Sequence, residues 1–116
     1  MTRILVVDDE AGIREVLQEI LEDEGYEVFS AEDGMEAVNT LKTEPIDLVI
    51  LDVWLPQKGG IEVLEEIKAT YVDMPVIVIS GHGSIDVAVK AVKMGAFDFL
   101  EKPLSLEKVV TLVRNA

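Results

Sequence analysis

Three short runs of branched, apolar residues constrain the fold of this chain more than any other feature. They are "ILVV" at residues 4–7, "LVIL" at residues 48–51 and "VIVI" at residues 76–79. Each run is apolar at both odd and even positions, which predicts a strand that is covered on both faces, as in a parallel sheet. Two weaker, alternating runs, "YEVFSA" and "AFDFLE", predict edge strands at residues 26–31 and 96–101.

Helical patterns separate these runs, and each contains an apolar stripe that we expect to face the sheet. The stripes are Ile13, Val16, Leu17, Ile20 and Leu21; Ala37, Val38 and Leu41; Leu64, Ile67 and Tyr71; Val89, Val92 and Ala96; and Leu106, Val109, Val110 and Val113. Ser84 and Ser105 are the expected N-caps of the fourth and fifth helices. The alternation predicts one α/β domain, a doubly wound parallel sheet of five βα units with the flavodoxin-like strand order 2-1-3-4-5.

Composition excludes several classes of function. The chain has 116 residues, enough for one domain, and no cysteine, so disulfides and thiolate zinc sites are excluded. The single histidine, His82, reads as a solvated loop residue. A formal net charge of −13 argues against direct binding to nucleic acid, and no apolar run is long enough to cross a bilayer. The acidity fits either solubility alone or a site for metal cations or a basic partner.

Acidic residues follow two of the central strands. Asp8, Asp9 and Glu10 follow the run "ILVV", and Asp52 follows the run "LVIL". Ligands of doubly wound sheets bind at the carboxyl ends of the strands where the strand order reverses, so we expect Asp8, Asp9 and Asp52 at one crevice. Two carboxylates about 5 Å apart repel by about 3 kcal/mol at an effective dielectric constant near 20. An all-oxygen cluster of this kind predicts Mg²⁺, with Mn²⁺ as the alternative. Asp9 or Glu10, if considered alone, could instead be the N-cap of the first helix.

Two further residues lie where they could serve a phosphoryl group. Carboxylates are nucleophiles that form acyl phosphates, and an ammonium group nearby would stabilise the moving phosphoryl group. Lys102 follows the fifth strand, and the hydroxyl of Ser80 ends the fourth. Outside this context Lys102 would be read as a solvated lysine and Ser80 as a turn residue.

The order and placement of these residues resemble the receiver domain of bacterial two-component response regulators. The resemblance rests on the stretch "GAFDFLEKP" at residues 95–103 and on one set of residues: Asp8, Asp9, Asp52, Ser80, Lys102 and Pro103. It covers essentially the whole chain, residues 1–116. The stretch "SGHGSIDVAVKAVKMGAFDFLEKPL" is further similar to receivers of nitrogen-regulation-type, sigma-54-dependent activators.

The resemblance implies a role for each site residue. Asp52 matches the phosphoacceptor and Lys102 the phosphate-pairing lysine. Asp9 resembles the direct magnesium ligand, Asp8 an acid that acts through water, and the backbone carbonyl of Trp54 a further ligand. Asp52 itself completes the expected metal set.

A second group of residues matches the family's conformational switch. Ser80 and Phe99 match the pair that changes the surface of the fourth helix, fifth strand and fifth helix on phosphorylation. Many receivers have Thr and Tyr at these two positions, so here only ring packing remains at Phe99. The resemblance also implies a cis peptide bond between Lys102 and Pro103.

The family further implies partners and a context. We expect a sensor histidine kinase as phosphodonor, a cytoplasmic location, and an output module with ATPase and DNA-binding activities in a longer regulator from which residues 1–116 have been excised. A homodimer, formed or broken by phosphorylation, stays open, and the domain would act on itself through self-phosphorylation and slow autodephosphorylation.

The same fold is compatible with three alternative functions: an aspartyl-phosphate phosphohydrolase, a flavin-binding module and a scaffold that is not phosphorylated. Trp54 occupies the position of the hydrolase's general acid, and the acids after the first strand would repel a flavin phosphate. The scaffold is disfavoured because the full set of acids and the lysine is present.

Overall fold

A computed structural model describes residues 2–55, 59–81 and 85–116 as five strands that alternate with five helices. The strands are β1 (Arg3–Val7), β2 (Glu27–Ala31), β3 (Leu48–Asp52), β4 (Val76–Ser80) and β5 (Asp98–Glu101). The helices are α1 (Ala11–Asp23), α2 (Gly34–Thr43), α3 (Gly60–Thr70), α4 (Ile85–Lys93) and α5 (Leu106–Asn115). Within those ranges, no helix combines the length and apolar character that crossing a membrane requires.

The five strands form one parallel sheet in the order β2-β1-β3-β4-β5. This confirms the predicted doubly wound, flavodoxin-like α/β fold. The order reverses between β1 and β3, whose carboxyl ends lie side by side with Val7 opposite Leu51. A crevice at this edge of the sheet is therefore formed by the residues that follow β1 and β3.

The sheet has a separate apolar core on each face. One core joins side chains of β1, β3 and β4 to α2, α3 and α4, for example Leu5 and Val49 with Leu64. The other joins the alternate side chains of these strands to α1 and α5, for example Ile50 with Leu17. All five residues of β3 and of β4 are buried, as the doubly apolar runs predict.

The apolar stripes locate the helices, but they misplace some of the buried faces. α4 buries Ala88 and Ala91 and leaves Val89 and Val92 44 % and 39 % exposed, so the predicted stripe is wrong by one residue. Apolar residues are so frequent in "IDVAVKAVK" that its period fits more than one face, and the small alanines pack closely on the sheet. Ala96 is buried but follows the end of α4.

Two other predicted core residues are exposed. Val16 in α1 and Leu106 at the start of α5 are 45 % and 55 % exposed, while α5 buries Leu112, which the stripe omitted. The hydroxyl of Ser105 accepts the backbone N–H of Lys108 at 3.4 Å and caps α5, as predicted. Ser84, His82 and the three residues before Gly59 lie outside the described part of the chain.

The start of α3 lies directly against the end of β3. The backbone N–H of Gly60 donates to the carbonyl of Val53 at 3.2 Å. A Cβ at position 60 would overlap the carbonyl oxygen of Asp52 and the Cα of Val53. Glycine is therefore required for α3 to begin this close to the crevice.

Candidate functional site

The carboxyl ends of β1, β3 and β4 carry the only buried polar side chains among the described residues. Asp8 follows β1, Asp52 ends β3 and Ser80 ends β4, and each is at most 2 % exposed. Parallel pairing brings these three ends to one edge of the sheet, as the sequence predicts. Because isolated buried charges are costly, the interactions of these side chains indicate what the site can hold.

The carboxylate of Asp8 is only half satisfied by the protein. Its Oδ1 accepts the backbone N–H of Glu10 at 2.9 Å, and the carbonyl of Asp8 accepts a 2.7 Å hydrogen bond from Arg14. Its Oδ2 is buried without a hydrogen-bond partner and lies 3.5 Å from Nζ of Lys102. Asp8 therefore directs one unsatisfied, negatively charged oxygen into the crevice.

Asp52 is held in a similar way at the end of β3. Its Oδ1 accepts the backbone N–H of Trp54 at 2.9 Å, and its Oδ2 lies 3.4 Å from Nζ of Lys102. One oxygen is thus used to orient the carboxylate, while the other faces the lysine. Trp54 is 58 % exposed, and the predicted role of its backbone carbonyl as a metal ligand stays a prediction.

Lys102 connects the acids. Its backbone N–H donates to the carbonyl of Ser80 at 2.9 Å, which ties the residue to the end of β4, and its bond to Pro103 is cis, as predicted. Its Nζ lies 2.7 Å from Oε1 of Glu10, closer than the 3.4 Å to Asp52 and the 3.5 Å to Asp8. A single ammonium group therefore faces three carboxylates.

One lysine does not neutralise this much buried charge. Burial raises the pKa of Asp8 to about 6, and the neighbouring charge of Asp52 adds to the rise. Burial also raises the pKa of Asp52, which the N–H of Trp54 and the charge of Lys102 only partly offset. Burial lowers the pKa of Lys102, but the hydrogen bond from its ammonium to Glu10 and the charges of Asp52 and Asp8 outweigh this and raise it. The site favours additional positive charge.

The donor atoms at the site fit a hard cation. Asp8, Asp9 and Glu10 each offer a carboxylate oxygen, and these atoms lie within 4.8 Å of one another. They form an oxygen-only set, which suits Mg²⁺ better than Zn²⁺ or copper, and Oδ2 of Asp8 is buried there without a hydrogen-bond partner. Asp52 is not part of this close group, but its Oδ2 shares Lys102 with Asp8.

The predicted switch pair lies on the neighbouring strands β4 and β5. Ser80 is buried, and its Oγ has no hydrogen-bond partner, so a donor is held ready near the end of β4. Phe99 lies on β5 opposite Val78. It is partly buried and packs against the apolar core between the sheet and helices α2, α3 and α4. The ammonium of Lys108 lies 5.7 Å from the centre of its ring, within the range of a cation–π interaction.

The structure brings together the predicted residues of the crevice, and it adds one. The sequence identifies Glu10 only as part of the acidic run and as a candidate helix cap. Glu10 does occupy the N-cap position of α1, but its side chain makes no capping hydrogen bond and instead binds Lys102. No spacing rule links residues 10 and 102, so only the tertiary structure reveals this pair.

Comparison with known proteins places the chain in a family. The model of the response regulator receiver domain matches residues 4–114. An NtrX-like response regulator of Rickettsia bellii is 46 % identical over 97 % of this chain and 24 % of its own length. The nitrogen assimilation regulatory protein NtrX of Azorhizobium caulinodans is 42 % identical over 97 % of this chain and 25 % of its own length.

A solved structure agrees with these relatives. The crystal structure of the receiver domain of NtrX from Brucella abortus is 41 % identical and has a TM-score of 0.94, over 97 % of this chain and 95 % of that one. The chain spans about a quarter of the length of the curated NtrX relatives that it matches. The chain belongs to the receiver domain family of response regulators.

Proposed function

We propose that this receiver domain is switched by transfer of a phosphoryl group to Asp52. The observation that carries the proposal is the buried Asp52 carboxylate, with one oxygen held by the backbone and the other 3.4 Å from the ammonium of Lys102. The unsatisfied hydroxyl of Ser80 supplies a hydrogen-bond donor near the same crevice. Such a site combines a fixed nucleophile with groups that stabilise added negative charge.

The chemical step involves one bond formed and one broken. An oxygen of the Asp52 carboxylate bonds to phosphorus as the phosphorus–nitrogen bond of a phosphohistidine breaks. The electron pair of that bond stays on the imidazole, which takes up a proton from water. Lys102 would pair with a phosphoryl oxygen and Ser80 would donate its hydroxyl to another. Water reverses the modification slowly, and the domain turns over no other substrate.

Asp8, Asp9, Asp52 and the carbonyl of Trp54 are the residues that would hold Mg²⁺, or Mn²⁺ in its place. The unsatisfied Oδ2 of Asp8 and the raised pKa values of Asp8 and Asp52 support this assignment. When bound, the ion would supply positive charge that stabilises the phosphoryl group during its transfer. Asp8 and Asp52 are oriented for this by the backbone N–H groups of Glu10 and Trp54.

The signal would leave the site through Ser80 and Phe99. Phosphorylation replaces about one negative charge with about two and adds acceptor oxygens, which would draw the Ser80 hydroxyl inward. Phe99 is only partly buried and can turn into the space that this movement opens. The exposed surface of α4, β5 and α5 would then change shape and bias a partner between two states.

We further propose that residues 1–116 are the receiver of a longer, cytoplasmic regulator. The greater length of the NtrX relatives supports an output module, and the name of the Azorhizobium caulinodans relative, a nitrogen assimilation regulatory protein, supports a regulatory role for that module, which we propose to be control of transcription. A sensor histidine kinase is the expected phosphodonor. The acidity of the chain, with a net charge of −13, favours protein partners over direct contact of this domain with nucleic acid.

The test uses a small acyl phosphate as donor, with phosphorylation followed by intact mass and by the fluorescence of Trp54. Trp54 is the chain's single tryptophan, and its backbone N–H is bonded to Asp52. We expect magnesium to change the fluorescence, and phosphorylation or a beryllium fluoride mimic to change it again. Asp52→Asn should abolish the second response, whereas the exposed Asp23→Asn should keep both. Normal phosphorylation of Asp52→Asn would refute the assignment.

A further inference from the structure

The Glu10 carboxylate makes the shortest contact of the Lys102 ammonium. The Nζ–Oε1 distance is 2.7 Å, at the short end for a charge-assisted hydrogen bond, while Asp52 and Asp8 are 3.4 and 3.5 Å away. The side chain of Glu10 is 59 % exposed, but those of Asp8 and Asp52 are at most 2 % exposed. In the unphosphorylated protein the ammonium of Lys102 therefore lies closer to the exposed Glu10 than to the buried Asp8 and Asp52.

The end of the Lys102 side chain is the part of the residue that lies beside Asp52. Its backbone N–H is fixed to the carbonyl of Ser80 at 2.9 Å, and its side chain is only 21 % exposed. The ammonium can move between its neighbours by rotation of side-chain torsions, because all three acids lie within 3.5 Å of it. The ammonium donates hydrogen bonds to Glu10 and to Asp52, so phosphoryl oxygens added at Asp52 would be new acceptors that compete with Glu10 for the same ammonium.

We propose that Glu10 is a positioning residue that holds Lys102 as its counter-ion in the resting state and competes with the phosphoryl group for it. The proposal rests on the proposed function of Asp52. Phosphorylation then includes an exchange in which Nζ leaves Glu10 for a phosphoryl oxygen. The exchange costs little because Glu10 is exposed, and its carboxylate is stabilised by water once Lys102 has left.

The competing role for Glu10 has the opposite consequence. Its carboxylate also lies within 4.8 Å of ligand oxygens of Asp8 and Asp9, so it could contribute to cation binding instead. Removing its charge would then weaken metal binding and slow phosphorylation. If Glu10 competes for Lys102, removing its charge speeds phosphorylation once the metal site is saturated.

The experiment compares Glu10→Gln with the wild type and with Glu15→Gln. Glu15 is an exposed acid on α1, so both variants lose the same formal charge. Phosphorylation by a small acyl phosphate is measured at saturating magnesium, which removes differences in metal affinity. Exposed ion pairs contribute about 0.2–1 kcal/mol, so we expect Glu10→Gln to react about 1.5- to 5-fold faster than both references. An equal or slower rate at saturating magnesium would overturn the proposal.

A second readout needs neither metal nor phosphoryl group. In chelator, the ¹⁵N signal of the Lys102 ammonium should shift in Glu10→Gln and stay in place in Glu15→Gln. An unchanged signal in both variants would also overturn the proposal. Failure of the proposed function is distinguishable, because it would appear as phosphorylation of Asp52→Asn rather than as equal rates in Glu10→Gln.

Discussion

Replacing Asp8 by asparagine should stabilise the metal-free protein at neutral pH. Burial raises the pKa of Asp8 from 3.8 to about 6, so the folded protein binds this proton more tightly than the unfolded chain does. The stability that Asp8 contributes is therefore complete below pH 3.8 and is lost as the pH rises through about 6. The shift is about two pKa units at 1.36 kcal/mol each, which gives a loss of about 3 kcal/mol above pH 7.

Asparagine removes the charge but can keep the hydrogen bond. Its amide oxygen can still accept the backbone N–H of Glu10, which Oδ1 of Asp8 accepts at 2.9 Å. We therefore expect Asp8→Asn to exceed the wild type by up to about 3 kcal/mol in the free energy of unfolding at pH 7.5. Near pH 4 the two proteins should differ much less, since Asp8 is then almost fully protonated, and therefore uncharged, in the folded protein.

The assay is urea denaturation in the presence of a chelator at pH values from 4 to 8. Glu15→Gln serves as the control for loss of one negative charge from a chain with a net charge of −13. Added magnesium should stabilise the wild type, by about 1.4 kcal/mol at ten times its Kd, and stabilise Asp8→Asn less. A difference between Asp8→Asn and wild type that does not change with pH would refute the reasoning, as would a less stable variant at pH 7.5.

Two further predictions concern the surroundings of the site. Gly60→Ala should lower the free energy of unfolding by about 1–3 kcal/mol, because its Cβ would overlap the backbone of Asp52 and Val53. Gly12→Ala, where a Cβ meets nothing within 4 Å, should instead be neutral or stabilising in the same urea denaturation, and equal effects would contradict the account. Lys108→Met should cost about 0.5–1 kcal/mol by removing the cation 5.7 Å from the ring centre of Phe99. That cost should vanish in a Phe99→Leu background, and a double-mutant cycle without coupling would contradict the interaction.

The sequence by itself determined the sheet and the position of the crevice. Runs such as "VIVI" are apolar at every position, and only a strand covered on both faces accommodates them, which leads to a parallel, doubly wound sheet. Asp8 and Asp52 lie at the carboxyl ends of two such strands. Because the two strands pair in parallel, both acids lie at the same edge of the sheet. Strand identity and these acids are local features that can be predicted without any knowledge of packing.

Which face of each helix is buried could be determined only from the tertiary structure. In α4 the exposed Val89 and Val92 and the buried Ala88 and Ala91 are all apolar, so periodicity alone leaves the buried side ambiguous. Which face is buried depends on how closely the helix approaches the sheet. Where the space between them is narrow, the face with the smaller side chains is the one that is buried. That space is set by strands and helices distant in sequence.

The partner of Lys102 was also decided only by the fold. Sequence placed the lysine near Asp52, but it gave no reason to pair it with Glu10, 92 positions away along the chain. Charged side chains settle where burial, distance and competing charges balance, and each of these depends on residues brought together from β1, β3 and β5. The pattern of strands and helices is determined by residues close together in the sequence. The pairing of charged side chains is determined only once the strands have assembled and brought distant residues together.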